Sequence, residues 1–307
     1  MRIVVNGMQA FGKAVVDKLV ERGEEVIGIY GAEEKPDRRR DPINEAAEAH
    51  GIPLFQLKSF KTDEALAHIK SLNADLCVMA YVIKFVPSDF LNVPTHGSIQ
   101  YHPSLLPLHR GPSSINWPII MGKKRTGLTI FWPDDGLDEG PVLLQKEVDI
   151  GSDDTLGSIY FDSLFPMGVD AMMEAVDLVR DGKAPKVVQD DSLSTYESWC
   201  KKEDVEIDWS KPVQEIYNMI RGANPQPGAW TTHNGEVVQI FDSRVSEGAS
   251  GAPGEVVGID DDSFSIAGNG GAIVVQRVRS GKDKFSAAEF VAQAEVKPGD
   301  IVGSKRN

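Results

Sequence analysis

The clearest evidence for the fold class comes from residues 1–29, MRIVVNGMQAFGKAVVDKLVERGEEVIGI. An apolar run at Arg2–Val5 is followed by helical periodicity over Phe11–Glu21 and by a second apolar run at Glu25–Ile29. Short apolar runs that alternate with amphipathic segments are typical of parallel strands joined by crossover helices. The opening of the chain therefore predicts an α/β fold.

The same alternation continues through the first half of the chain. Helical periodicity recurs over Asp63–Leu72, where we expect Asp63 to cap the helix near Thr62. A longer helix is predicted over Thr155–Asp181 with an interruption near Pro166, and its methionines are interpreted as core packing. Further strands are predicted at Asp75–Met79, Ser98–Tyr101, Leu128–Trp132 and Val142–Val148, and core-facing helical residues at Leu19, Val20, Leu66 and Ile69.

The second half of the chain has a different pattern. A polar stretch at Gly182–Glu206 is interpreted as a domain connection, and a short helix is predicted over Pro212–Arg221. The runs that follow are separated by glycine and aspartate turns, which is typical of a small β-barrel. A length of 307 residues suggests about two domains, which we place at residues 1–200 and 201–307. The predicted barrel strands are Val237–Phe241, Gly254–Ile259, Ser263–Ala267 and Ala272–Val278.

The net charge of the chain indicates which kinds of partner it can bind. It carries 46 acidic and 32 basic residues, and the resulting net charge of -14 repels nucleic-acid phosphates. The basic cluster Lys35–Asp41 is a local exception that could bind an anion or RNA, although a short charge run on a loop is usually solvated surface. No apolar stretch approaches the roughly 20 residues of a membrane span. We therefore expect no membrane partner and disfavour a nucleic-acid partner.

The two cysteines and the first residues of the chain argue against disulfide-bonded, metal-binding, secreted and nucleotide-binding proteins. Cys77 and Cys200 are far apart and lack ligand-like spacing, so neither a disulfide framework nor a metal site is expected. The start at Met1–Val5 lacks the features of a signal peptide, and together these observations predict a cytoplasmic protein. The turn Asn6–Gly12 lacks the G-x-G-x-x-G spacing and has no lysine placed for phosphates. We expect neither NAD nor ATP to bind there.

One histidine and one aspartate form the candidate acid/base pair. His102 directly follows a predicted central strand, where open α/β sheets place their ligand crevices. Asp138 comes 36 positions later, in a glycine-rich turn at the end of another predicted strand. An imidazole beside a carboxylate suits acyl-group chemistry when no metal or cysteine nucleophile is available. Of the other histidines, His96 and His109 flank the motif and could support it, whereas His50, His68 and His233 are interpreted as surface or structural residues.

Two long motifs surround the candidate pair, residues 102–117, HPSLLPLHRGPSSINW, and residues 131–140, FWPDDGLDEG. Both resemble the signatures of the 10-formyltetrahydrofolate-dependent formyltransferases. Within that family, Tyr101, His109 and the run Ile115–Trp117 look most like the hydrolase domain of 10-formyltetrahydrofolate dehydrogenase and less like methionyl-tRNA formyltransferase. The segments Ile207–Trp209 and Ile220–Thr231 extend the resemblance into the second domain, so that it covers essentially the whole chain.

The chain departs from this family in two ways. The transferases usually have an asparagine two residues before the histidine and the hydrolase domain has an apolar residue, whereas this chain has Gln100, which retains an amide with one more methylene. The sequence also stops at Asn307, without the carrier and aldehyde dehydrogenase regions of the full dehydrogenase. We therefore expect no NADP-dependent oxidation of the formyl group by this chain alone.

The resemblance implies a doubly wound, Rossmann-like sheet that binds the folate, followed by an OB-like barrel. It implies 10-formyltetrahydrofolate as the formyl donor, with no metal and no NAD(P). His102, Asp138 and Gln100 would be the catalytic residues. Arg110 is a candidate for the carboxylate end of the folate or for structural pairing. The pterin slot would be lined by Ala80, Tyr81, Val82, Ile83 and Phe85, and by the turn Pro133, Asp134, Asp135 and Gly136.

Three functions remain open on the sequence. The first is release of formate with water as the acceptor, which the dehydrogenase-like motif and the acidic surface favour. The second is formyl transfer to an amine, with methionyl-tRNA first and an amino sugar or another small amine next, which the Gln100 amide keeps open. The tRNA version predicts salt-sensitive binding through Arg38, Arg39 and Arg40. The third is a folate-binding module without turnover, which the intact His102/Asp138 pair disfavours. The sequence gives no prediction of the oligomeric state.

Overall fold

The computed structural model of the chain describes residues 1–248 and 250–303. The chain forms two compact units, each built from several segments. The first unit comprises Met1–Ser114, Gly127–Val148 and Ser163–Glu197, and the second Ile115–Thr126, Asp149–Asp162 and Ser198–Asn307. The division at residue 200 stays a prediction, and the last four residues of the second predicted domain lie outside the described residues.

A seven-stranded sheet forms the centre of the first unit, with strand order β3-β2-β1-β4-β5-β6-β7. The pairs from β3 through to β5 are parallel, and β6 pairs antiparallel with β5. Because the chain starts mid-sheet and extends it first to one side and then to the other, the predicted doubly wound, mostly parallel sheet is confirmed. The strands are β1 Arg2–Gly7, β2 Glu25–Tyr30, β3 Leu54–Phe55, β4 Leu76–Ala80, β5 Ser98–His102, β6 Arg125–Phe131 and β7 Val142–Asp149.

Helices of the first unit pack apolar faces against the sheet. Leu19 and Ile69 are fully buried as predicted, whereas Val20 and Leu66 are only partly buried. The methionines Met172 and Met173 are buried, which confirms their core role. The helices of residues 1–197 are α1 Gln9–Glu21, α2 Pro42–Ala49, α3 Asp63–Leu72, α4 Ser88–Leu91, α5 Asn116–Ile120, α6 Leu156–Ser158 and α7 Phe165–Arg180, with a π-helix at Ile159–Leu164 and a 3-10 turn at Asp191–Leu193.

Two details of these helices differ from the prediction or refine it. The cap of α3 is Thr62 rather than Asp63, because the Thr62 hydroxyl accepts a hydrogen bond from the backbone N–H of Ala65 at 3.2 Å. The predicted interruption near Pro166 is present as the π-helix Ile159–Leu164, which runs directly into α7 just before Pro166, a residue with no backbone N–H to donate. No bounds were predicted for helix α2, which Asp41 caps, or for the two-residue strand β3.

The second unit contains two four-stranded antiparallel sheets, ordered β10-β13-β12-β11 and β15-β14-β9-β8. The single strand predicted at Ala272–Val278 is wrong: it is two strands in different sheets, separated at Gln276, whose N–H donates to the carbonyl of Asp242 at 2.8 Å. Closure of the sheets into an OB-like barrel stays a prediction. The elements are α8 Val213–Gly222, β8 Trp230–His233, β9 Glu236–Ile240, β10 Ser243–Glu247, β11 Val256–Ile259, β12 Phe264–Gly268, β13 Gly271–Val275, β14 Arg277–Ser280, β15 Asp283–Ser286 and α9 Ala287–Gln293, with a 3-10 turn at Lys202–Val205.

The described residues contain neither a membrane-spanning helix nor a cluster of metal-binding side chains. No helix within residues 1–248 and 250–303 combines the length and the apolar character needed to cross a bilayer. Over the same ranges, no group of three or more histidine, cysteine, aspartate or glutamate side chains is arranged to hold a metal ion.

Candidate active site

The structure brings the predicted imidazole and carboxylate together. His102 is the last residue of β5, and the loop after β6 turns back so that Asp138 reaches it. Nδ1 of His102 lies 3.6 Å from Oδ2 of Asp138, and the two side chains are 7% and 10% exposed. This separation exceeds a direct hydrogen bond, but catalytic hydrogen bonds are often long without substrate and tighten when it binds.

The second ring nitrogen fixes the tautomer of His102. Nε2 lies 2.9 Å from the backbone carbonyl oxygen of His109. A carbonyl oxygen only accepts hydrogen bonds, so Nε2 carries a proton and donates it there. Nδ1 is therefore the nitrogen that can gain or lose a proton, and it faces Asp138. A proton carried by Nδ1 would point toward this carboxylate.

Asp138 is held in an unusual backbone conformation. Its φ is +56°, in the left-handed region that aspartate tolerates better than most residues. Its carboxylate oxygen Oδ2 accepts a hydrogen bond from the N–H of Gly111 at 3.0 Å, and its carbonyl accepts one from Nε2 of Gln189 at 2.9 Å. Conformations of this kind persist at functional sites when neighbouring groups hold them. The surroundings thus fix where the carboxylate points.

Residues 195–197 support the loop that follows His102. The hydroxyl of Thr195 accepts from the N–H of His109 at 2.8 Å, and Nδ1 of His109 lies 3.0 Å from a carboxylate oxygen of Glu197. Gly111 has a φ of +104°, and a Cβ there would lie 2.5 Å from the carbonyl oxygen of Glu197. The sequence suggested a supporting role for His109 but gave no signal for Thr195, Glu197 or Gln189, because no periodicity or motif links them to the histidine.

Gln100 lies on the same strand as His102. Side chains two residues apart on a strand point to the same face of the sheet, so Gln100 and His102 share a face. Gln100 is partly buried and pairs with Met79 of β4 on one side and Phe131 of β6 on the other. Its assignment as a catalytic amide stays a prediction.

The residues predicted to line the pterin slot lie at the end of β4, in the loop that follows it and in the loop after β6. Ala80 ends β4, and Tyr81, Ile83 and Phe85 follow it with 43%, 59% and 50% of their surfaces exposed, an unusual density of exposed apolar side chains. The second loop follows β6, and its Asp135 carboxylate accepts hydrogen bonds from the N–H and the hydroxyl of Ser88 at 2.8 and 2.7 Å. The remaining residues of the predicted slot are Val82, which is half-buried, and Pro133, Asp134 and Gly136. Their binding role stays a prediction.

The link between these loops gives a testable pH dependence. The Ser88 hydroxyl, and secondly its backbone N–H, hold the pKa of Asp135 below its ordinary value of 3.8. The link therefore stabilises the folded protein above pH 3.8 and is lost as the pH falls through the lowered value. In carboxyl NMR titrations we expect Asp135 to titrate below 3.8 in the wild type and closer to 3.8 in Ser88→Ala, which keeps only the N–H donor. An unchanged midpoint would show that the hydroxyl does not hold this carboxylate.

Arg110 is buried and engaged in structural pairing. Its guanidinium donates to Oε1 of Gln189 at 2.9 and 3.3 Å and to Oδ1 of Asp191 at 2.7 Å, and Glu139 lies 3.8 Å away. Of the two roles predicted for Arg110, these contacts are those of structural pairing. A folate carboxylate would have to displace them in order to bind this side chain.

Comparison with known proteins defines the family. The formyl transferase model matches residues 1–176, and the model of the formyl transferase C-terminal domain matches residues 200–295. The chain belongs to the formyl transferase family. The resemblance predicted from the sequence is thus confirmed, and the chain is a member of a family of enzymes.

The relatives of this family member include two kinds of enzyme. The chain is 42% identical over 260 residues to the mitochondrial 10-formyltetrahydrofolate dehydrogenase of Homo sapiens, covering 83% of this chain and 28% of that protein. It therefore spans less than a third of the length of that relative. It is also 36% identical over 312 residues to the methionyl-tRNA formyltransferase of Geotalea uraniireducens (strain Rf4), covering 99% of both chains.

Solved structures share the fold of this formyl transferase family member. HypX from Aquifex aeolicus, in complex with tetrahydrofolic acid, aligns with a TM-score of 0.68 at 20% identity, over 99% of this chain and 51% of HypX. Neither family model covers residues 177–199. That segment contains Gln189, Thr195 and Glu197, which support the His102/Asp138 pair.

Proposed function

We propose that this formyl transferase family member removes the formyl group of 10-formyltetrahydrofolate and delivers it to water, releasing formate and tetrahydrofolate. The observation that carries the proposal is the nearly buried pair of Nδ1 of His102 and Oδ2 of Asp138, 3.6 Å apart. The 42% identity with a 10-formyltetrahydrofolate dehydrogenase supports the choice of donor. No metal or redox step is needed for this hydrolysis.

Attack on the formyl carbon begins the proposed reaction. A water molecule between the pair and the substrate forms a bond to the formyl carbon while Asp138 accepts one of its protons. The carbonyl oxygen becomes an oxyanion, which the Gln100 amide and His102, in the form that carries a proton on both ring nitrogens, stabilise by donating hydrogen bonds. Each such donor is worth on the order of 3 kcal/mol when its geometry is right.

Collapse of the intermediate completes the proposed reaction. The bond between the formyl carbon and N10 breaks, and Nδ1 of His102 gives its proton to the departing nitrogen. The products are tetrahydrofolate and formic acid, which loses its proton to solvent. The proton held by Asp138 then returns to Nδ1 across the 3.6 Å separation, and both side chains regain their starting states.

An amine acceptor is the second candidate. The end-to-end match to a methionyl-tRNA formyltransferase favours it, because the attacking amine would use the same pair. A small amine such as an amino sugar would also fit this chemistry. Against a tRNA acceptor stand the net charge of -14 and the pairing of Arg40, one of the three predicted contact arginines, with Glu34 and Glu48. Water is therefore the acceptor we propose first.

Acceptor dependence tests the proposed function. We expect tetrahydrofolate to appear from 10-formyltetrahydrofolate at the same rate with and without charged initiator tRNA or candidate amines. Formate should appear in equal amount to tetrahydrofolate. Release that requires an acceptor, with the formyl group recovered on it, would replace hydrolysis by transfer. No release with any acceptor would reject the reaction altogether.

A further inference from the structure

Gln189 joins the loop that carries Asp138 to the loop that follows His102. Its Nε2 donates to the carbonyl oxygens of Asp138 at 2.9 Å and Gly140 at 2.7 Å. Its Oε1 accepts from Nη2 and Nε of Arg110 at 2.9 and 3.3 Å. A glutamine amide offers two donor hydrogens and two acceptor lone pairs, so Gln189 makes all four hydrogen bonds available to it. The residue is only 8% exposed.

We propose that Gln189 is a positioning residue for the formyl-release reaction, which fixes the Asp138 turn so that its carboxylate faces His102. The inference rests on the function proposed above. Asp138 adopts a left-handed backbone conformation, which must be held by neighbouring groups, and Gln189 binds its carbonyl directly. Gln189 lies between the segments that match the family models, and it was not identifiable from any motif.

The same glutamine also reaches His102 through Arg110. The residues on either side of Arg110 contact the pair: the carbonyl of His109 accepts from Nε2 of His102, and the N–H of Gly111 donates to the carboxylate of Asp138. Anchoring Arg110 therefore fixes one backbone contact to each catalytic side chain. Asp191 contributes a second anchor for the guanidinium at 2.7 Å.

Two substitutions separate the donor role of Gln189 from its acceptor role. Gln189→Glu keeps oxygen atoms for Arg110 but loses both donors to the carbonyls of Asp138 and Gly140. Gln189→Met keeps the length of the side chain and loses all four hydrogen bonds. If positioning of Asp138 requires the donors, both variants should lose activity. If only the pairing of Arg110 matters, Gln189→Glu should retain wild-type activity, and the inference is overturned.

Kinetics of the full-length protein give the first readout. We expect each variant to lower kcat for formyl release about tenfold to a hundredfold, the range for a displaced catalytic group, with KM for 10-formyltetrahydrofolate changed less than about threefold. In the Asp138→Asn background, Gln189→Glu should lower the residual kcat less than about twofold, because it keeps the anchor of Arg110 and the carboxylate that its donors position is gone. A general structural defect would instead lower kcat by the same factor in both backgrounds, and would overturn the inference.

Gln239 offers a matched control. It is a partly buried glutamine of the second unit whose Nε2 also donates to two backbone carbonyls, those of Pro227 at 3.0 Å and Gly228 at 3.4 Å. Gln239→Met removes the same chemical group and should leave kcat within about twofold of the wild type. A loss as large as that of Gln189→Met would show a general effect of such substitutions and overturn the inference.

A crystal structure of Gln189→Met separates failure of this inference from failure of the proposed function. We expect the distance from Nδ1 of His102 to Oδ2 of Asp138 to lengthen by more than 1 Å from 3.6 Å. An unchanged distance overturns the inference whatever the kinetics. If the wild type releases no formyl group with any acceptor, the proposed function fails, and this distance still decides whether Gln189 positions Asp138.

Discussion

Asp138→Asn and His102→Gln are each expected to lower kcat for formyl release at least a hundredfold. Asparagine keeps the shape of the Asp138 side chain but accepts no proton from the nucleophile, and glutamine at position 102 presents no titratable nitrogen to N10. General acid–base catalysis contributes about 10²–10⁴-fold, so removing either partner should remove that factor. The measurement is the steady-state rate of tetrahydrofolate formation with purified variants.

The double variant of this pair tests whether the two residues act together. If protons pass between Asp138 and His102 in each cycle, the double variant should be little worse than the poorer single variant. The matched control is the surface pair formed by Nε2 of His50 and Oδ1 of Asp17, 2.7 Å apart and partly exposed. Asp17→Asn and His50→Gln should leave kcat within about twofold. Wild-type kcat in either active-site variant would reject the mechanism.

Phe11→Ala is expected to cause the largest loss of stability of the single substitutions considered. Phe11 is 1% exposed, and its ring centroid lies 4.3 Å from that of Tyr101 and 5.6 Å from that of Phe165. Removing a fully buried phenylalanine leaves a cavity and typically costs about 3–5 kcal/mol. Urea unfolding followed by circular dichroism should show a free energy of unfolding lowered by this amount.

A surface phenylalanine provides the control for this substitution. Phe161 is 63% exposed and contacts Tyr160, so Phe161→Ala should change the free energy of unfolding by about 1 kcal/mol or less. Because Tyr101 immediately precedes His102, Phe11→Ala should also lower kcat at temperatures where the variant is folded. A stability loss below about 1 kcal/mol would mean that the Phe11 site collapses around the smaller side chain and is not the rigid support described here.

The sequence predicts the buried parallel strands well, and of the C-terminal strands it predicts β9, β11 and β12 but misses β8, β10 and β15. Strands such as β1 and β4 are buried on both faces, so they read as continuous apolar runs with clear ends. Strand β3 has only two residues, too few to show any pattern. The run Ala272–Val278 is apolar enough for one strand, but the chain changes sheets at Gln276 through hydrogen bonding to Asp242. Such a change depends on a partner 34 positions earlier and leaves no local signal.

The sequence likewise predicts some residues of the candidate site and misses others. His102 and Asp138 lie in dense turn-rich motifs beside strand ends, and the structure brings them together. The groups that hold them are a backbone carbonyl of His109, a backbone N–H of Gly111 and the side chain of Gln189, which lies 51 residues after Asp138. Backbone groups have no sequence signature, and a single distant glutamine in a polar segment resembles any solvated residue. These contacts therefore became visible only in the folded chain.

The most direct test of the central claim is a crystal structure of the protein with a stable 10-formyl folate analogue. We expect the formyl carbon to lie between His102 and Asp138, with the formyl oxygen or N10 within hydrogen-bonding distance of Nδ1 of His102. Oδ2 of Asp138 should lie within about 3.5 Å of a water molecule facing the formyl carbon, the distance of a reactive arrangement. A folate analogue bound with its formyl group away from both side chains would contradict the account.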